Sequence, residues 1–187
     1  MTWIIWTILA VAVILIFAII GLYNGLVAGK NRVEEALSDM DVQLKRRYDL
    51  IPNLVETVKG YAAHEEGTLA KVIAARNSAM EVPSTDPEKK IVVENQLSSS
   101  LRSIFALAEN YPDLKANQNF LELQRELTDT EDKIMASRRF YNGNVRDFNT
   151  KLQVFPTNLI NKMLNFKEYK FYELADAVQK EPVKVQF

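Results

Sequence analysis

Residues 3–23 read WIIWTILAVAVILIFAIIGLY and hold no charged side chain. At about 1.5 Å per residue, the twenty steps from Trp3 to Tyr23 cover roughly 30 Å, the thickness of a bilayer's hydrocarbon core. Trp3 and Trp6 stand at one end and Tyr23 at the other, where rings that favour lipid–water interfaces are expected as anchors. A cleaved signal peptide is the alternative. Against it stand the missing basic n-region, the length of the apolar run and the lack of a small-x-small cleavage site close behind it. The stretch therefore predicts an uncleaved transmembrane helix.

The first charges beyond it are Lys30 and Arg32, whereas Met1 and Thr2 carry no basic side chain. The positive-inside rule then puts the N-terminus outside and the rest of the chain in the cytoplasm. The bias is two residues with Glu34 and Glu35 close behind, so a periplasmic or extracellular placement stays open. Gly21, Gly25 and Gly29 follow one another at four-residue spacing. Such a row gives either a groove where two helices meet, hence homo-oligomerisation, or a hinge, because glycine costs about 1 kcal/mol inside a helix.

Beyond the exit the reading is all-α. Val33, Leu37, Met40, Leu44, Ile51 and Val58 recur at helical intervals, with Pro52 expected to kink the helix or start a new one. Gly60 and Gly67 suggest an interruption before a helix over residues 69–80. Thr85-Asp86-Pro87-Glu88 reads as a capping box with Thr85 as N-cap, opening a helix that ends near Tyr111-Pro112. A further helix starts at residues 117–119. It carries Phe120, Leu127, Ile134, Tyr141, Phe148 and Phe155 seven apart and is expected to end at Phe155-Pro156, while Thr130, Ser137, Asn144 and Lys151 keep the stripe narrow. A short last helix is expected over residues 159–166. The expected domains are residues 1–29, transmembrane helix and glycine-rich exit; residues 30–166, an elongated antiparallel bundle of three to five helices; and residues 167–187, an extended aromatic tail. In that tail core packing is favoured over ligand binding, and only residues 182–187 alternate like a strand.

Composition excludes much. There is no cysteine, so disulfides, thiolate metal sites and cysteine nucleophiles are absent. The single histidine, His64, has Thr68 where a zincin needs a second histidine, and it reads as a surface loop residue. A net charge of −1 speaks against nucleic acid as a partner. No catalytic, cofactor or metal site emerges, and no enzyme activity is expected. Lys45-Arg46-Arg47 is the densest basic run. It is either a binding surface for acidic lipid, RNA or protein, or a solvated helix face neutralised by Asp41 and Asp49, which is the favoured reading.

Several stretches carry a likeness to a known family: Tyr23-Asn24-x-Leu26-Val27, Asn31-Arg32-Val33-x-Glu35-Ala36, residues 41–47, residues 49–61, Leu123-Gln124-x-Glu126-Leu127, Ala136-x-Arg138-Arg139-x-Tyr141-Asn142, and Phe155-Pro156. Together they resemble the LemA family over nearly the whole chain. Two departures stand out, Leu37 where tryptophan is expected and Tyr48 where histidine is common. The resemblance implies an elongated helical bundle on a membrane anchor and no enzyme activity. A relative in magnetotactic bacteria is linked to building magnetosome membranes. The expected function is a self-associating scaffold in the bilayer. The alternative is a monomeric adaptor offering a helical face to another envelope protein such as a protease, transporter or stress sensor.

Overall fold

A computed structural model of the protein describes residues 2–173. Its helices are α1 (Thr2–Lys59), α2 (Glu66–Glu81), α3 (Pro87–Ala108), α4 (Pro112–Lys115), α5 (Gln118–Gln153) and α6 (Thr157–Leu164), with no strand among the described residues. The all-helical expectation holds. The alternating stretch at residues 182–187 lies outside the described residues.

Three local readings are corrected. Pro52 does not start a new helix: the first helix runs through it to Lys59. A proline at position 52 leaves the Tyr48 carbonyl without its i+4 partner. That oxygen instead accepts a hydrogen bond from Arg76 Nε on α2 at 2.7 Å, so the lost donor is replaced from outside the helix. The N-cap of α3 is Asp86 rather than Thr85: its carboxylate accepts from the Lys89 amide, and Pro87 takes the first helical position. Phe155 does not continue the seven-residue stripe. Helix α5 has ended at Gln153, and the Phe155 side chain is exposed. The start of α5 is as expected, with Asn117 Oδ1 accepting the Phe120 amide at 3.0 Å.

The chain divides into two units. The first comprises Met1–Ser38 and Arg139–Lys170. In it, Leu26, Val33 and Ala36 of α1 and Tyr141, Val145, Phe148 and Leu152 of α5 are buried. A Cβ at Gly29 would lie 3.0 Å from the Phe148 ring, so glycine there permits close packing of α5 on α1. Tyr23 meets Phe166 with ring centroids 6.4 Å apart. The partner on α1 thus moves from Gly29 to Tyr23 as the chain passes from Phe148 to Phe166.

After α6 the chain turns back along α5. Asn165 adopts a left-handed φ of 56°, a conformation asparagine tolerates. Glu168 accepts from Gln153, the Asn149 side chain bonds both the amide and the carbonyl of Tyr169, and Tyr141 Oη donates to the Lys170 carbonyl. Phe166 and Tyr169 of the aromatic tail are thus packed edge-on to Phe148, at 6.3 and 5.6 Å, while Phe171 is exposed and residues 174–187 lie outside the described residues.

The second unit comprises Asp39–Arg138 and Phe171–Phe187. Met40, Leu44, Ile51, Leu54 and Val58 of α1 join Leu69, Val72, Ala75 and Ala79 of α2 in its core. Ile91, Leu97, Leu101 and Ile104 of α3 and Phe120, Leu127 and Ile134 of α5 complete it. The polar break in the α5 stripe is satisfied locally, since buried Thr130 donates to the Glu126 carbonyl at 2.7 Å. Tyr172 is buried as well and donates to the Ser84 carbonyl.

Candidate functional site

The first candidate is the opening of α1. Among the described residues it is the one helix long and apolar enough to cross a membrane, and none of its 18-residue apolar window is buried. Trp3, Trp6 and Tyr23 are all exposed on it. The helix passes the three glycines without a break. Those glycines differ in surroundings: a Cβ at Gly21 or Gly25 would meet nothing within 4 Å, while Gly29 is occupied by Phe148 of the same chain.

The second candidate lies in the second unit, and the basic run leads to it. Consecutive helical residues point about 100° apart, so three in a row cannot share one face. Lys45 pairs with Asp49 on its own helix. Arg46 reaches Glu126 and Asp129 on α5. Arg47 turns inward and is 1% exposed. The solvated-face reading therefore holds for Lys45 with Asp49 but not for Arg47, and Asp41 accepts from Ser84 instead.

Arg47 enters a buried charge cluster. It pairs with Glu94 of α3, itself 2% exposed, and with Glu131 of α5, and it donates to Ser98 at 3.1 Å. Ser98 in turn donates to Glu131. Only Nε of the Arg47 guanidinium makes no hydrogen bond. Glu94 also accepts from the Tyr48 phenol and lies 3.6 Å from buried Lys90. The Lys90 ammonium donates to the carbonyls of Ala79 and Val82 at 2.7 and 2.8 Å, and so caps the C-terminal end of α2 in place of a residue from that helix. Burial holds Lys90 below its ordinary pKa. Burial pushes the Tyr48 phenol up to about 12, against the lowering effect of Arg47.

Two cations thus face two carboxylates, and their donors and acceptors are turned on one another. The arrangement ties α1, α2, α3 and α5 together, and it presents no free nucleophile beside a base. The signal for it was in the sequence. Arg47 stands on the rhythm of Met40, Leu44 and Ile51, and Glu94 on that of Ile91, Leu97 and Leu101. Opposite charges on two apolar stripes mark a buried pair. His64 sits exposed in the turn before α2.

A model of the LemA family matches residues 36–187. The chain belongs to the LemA family. It is 28% identical over 162 residues to Protein LemA of Metamycoplasma hominis, covering 86% of this chain and 73% of that protein. It is 20% identical over 174 residues to Magnetosome protein MamQ of Magnetospirillum gryphiswaldense, covering 80% of this chain and 64% of the relative. Magnetosome protein MamQ 2 of Paramagnetospirillum magneticum is 19% identical over 175 residues, covering 81% and 64%. The matches thus span a little under two thirds of each magnetosome relative. None of these names carries an enzymatic activity.

The span matched to the LemA family contains every member of the charge cluster and begins after the apolar stretch. Of the two departures from the LemA pattern, Leu37 is half-buried at the edge of the α1 stripe. Tyr48 is more than a packing change, because its hydroxyl donates to buried Glu94.

Proposed function

We propose that this LemA-family protein is anchored in a bilayer by the apolar part of α1 and acts there as a self-associating helical scaffold. The observation that carries the reading is the opening of α1, an unburied apolar stretch of membrane-spanning length ringed by Trp3, Trp6 and Tyr23. Hydrocarbon is the environment in which such a surface is stable. Self-association is drawn to Gly21 and Gly25, which lie four apart with open space before them, while Gly29 serves packing within the chain. Lys30 and Arg32 favour a cytoplasmic position for the remainder. The magnetosome named in two relatives suits a role in organising a membrane.

Two measurements test this. Carbonate extraction should leave the protein in the membrane pellet. Mass determination in nanodiscs should show more than one copy, reduced to one copy by Gly21→Leu with Gly25→Leu. Release into the supernatant refutes the anchor, and a wild-type monomer at micromolar concentration refutes the scaffold.

The adaptor reading has one observation of its own. A groove of about 430 Å³ between α3 and α5 is lined by Leu101, Phe105 and Leu127 on one side of its chemistry and by Ser98, Glu131 and Asp132 on the other. Crosslinking in cells separates the readings: contacts between copies support the scaffold, and a single foreign envelope protein held at this groove supports the adaptor.

A further inference from the structure

The geometry points to α6 and the residues just before it as a second membrane contact, a foot resting in the headgroup layer of the bilayer that α1 crosses. The inference rests on the anchoring proposed above. Val154, Phe155, Leu159, Met163 and Leu164 are all exposed, Phe155 at 77% and Met163 at 88%. Apart from the α1 opening, the other exposed large apolar residues are scattered, as Val42, Ile73, Val92 and Phe140 are. Scattered residues of this kind need no explanation, whereas five within eleven positions are a concentration that soluble surfaces rarely carry.

Helix periodicity sharpens the point. At about 100° per residue, Leu159, Ile160, Met163 and Leu164 fall in one arc of roughly 140°, with Thr157, Asn158, Asn161 and Lys162 in the other. The polar arc contributes to the protein's own packing. Thr157 is buried, and the Asn161 side chain bonds both the amide and the carbonyl of Phe166. The outward side of the apolar arc, Leu159 and Met163, is uncovered. This is the reverse of a helix on a water-facing surface.

Position supplies the occupant. Within this unit α5 packs at Gly29 through Phe148, and the end of α6 is followed by Phe166 against Tyr23. The chain then climbs back through Glu168 beside Gln153 and Tyr169 beside Asn149. Helix α6 is therefore the turning point of the excursion, level with the α1 residue that marks the lipid–water boundary. An amphipathic helix at that depth buries its apolar face about 5–10 Å into the headgroup and acyl boundary. Lys162 in the polar arc and Lys151 and Lys167 on its flanks suit the phosphates of an anionic leaflet, where long basic side chains reach up to the headgroups.

The test uses the full chain, whose lack of cysteine makes single labels clean. Phe155→Cys, Leu159→Cys and Met163→Cys are labelled with bimane and reconstituted in phosphatidylcholine–phosphatidylglycerol vesicles. The vesicles carry nitroxides either at the headgroup or deep in the acyl chain. Ile14→Cys reports the membrane core and Val92→Cys an exposed apolar site of the other unit. The foot labels should be quenched by shallow nitroxide at least about twofold more than Val92, with depth near the boundary, while Ile14 responds to deep nitroxide. If Ile14 is quenched and the foot labels behave like Val92, the foot is wrong and the anchor stands. If the foot labels are shielded from water yet insensitive to lipid nitroxide, a second copy or another protein covers the patch, and the inference falls. If Ile14 is not quenched, both fall.

Discussion

Replacing Arg47 by methionine isolates the Glu94 carboxylate in the core. The loss removes its ion pair with a group 1% exposed and leaves a carboxylate 2% exposed with only the Tyr48 phenol and Lys90 at 3.6 Å. Breaking a buried pair from one side costs about 3–5 kcal/mol. The remaining Lys90 places this site near the lower end, at about 3 kcal/mol. Glu131, with its side chain 39% exposed, turns to water and adds little. Glu94→Gln leaves Arg47 with Glu131 and Lys90 with its two carbonyls, a loss of about 2 kcal/mol. Combining the two removes the stranded carboxylate, so Arg47→Met with Glu94→Gln should be more stable than the single Arg47 variant. Thermal unfolding of the full chain in detergent micelles, followed by circular dichroism, reads these values. At about 2–4 °C per kcal/mol for a chain of this size, Arg47→Met should lower Tm by roughly 6–12 °C. A loss below about 1 kcal/mol, or a double variant as unstable as the sum of the singles, would show that the cluster is not a coupled buried pair.

Arg76→Ala should cost about 1–2 kcal/mol by stranding the Tyr48 carbonyl, and much less in a Pro52→Ala background, where residue 52 regains its amide; a double-mutant cycle by thermal melting measures the difference. Gly29→Ala should destabilise by about 1–3 kcal/mol, because the new methyl meets the Phe148 ring at 3.0 Å, whereas Gly25→Ala should not; the same melts compare them. Alkaline unfolding tests Tyr48. Its phenol is held up to about 12 against an ordinary 10.0, so the unfolded chain releases the proton first, and stability intact below pH 10 falls as pH rises through 12. Lys90, lowered by burial, acts in the opposite sense below its ordinary 10.5, so the decline belongs to the upper part of the window. Tyr48→Phe should flatten that decline without abolishing it, because burial and a bond to Glu34 also hold Tyr169 at about 12; melts at stepped pH read the slopes.

Much of the fold was legible from spacing alone. Phe120, Leu127, Ile134, Tyr141 and Phe148 are buried as their seven-residue spacing implies, because α5 keeps one face inward along its length. Phe155 broke the series because the helix stops at Gln153, two residues before the Phe155-Pro156 end that the proline marks, and spacing alone still counted Phe155 on the stripe. Pro52 hid the continuity of the first helix for the opposite reason: its cost is local but its remedy is a side chain on another helix. The basic run misled because charge was read as exposure, although Arg47 shares a rhythm with Leu44 and Ile51. Which glycine packs within the chain was not legible at all, since Gly21, Gly25 and Gly29 look alike until Phe148 is placed against one of them.

The hydrogen bond from Arg76 to the Tyr48 carbonyl bears on synthesis. The arginine comes 28 residues after the oxygen it serves. On the ribosome, the apolar opening and the stretch through Pro52 emerge while that oxygen still lacks its donor. Up to that moment the turn at residues 48–52 is held by one hydrogen bond fewer, and its free carbonyl has only water to bond. The second helix supplies the missing donor, so the hydrogen bonding of the first helix is completed late, by a segment translated after it.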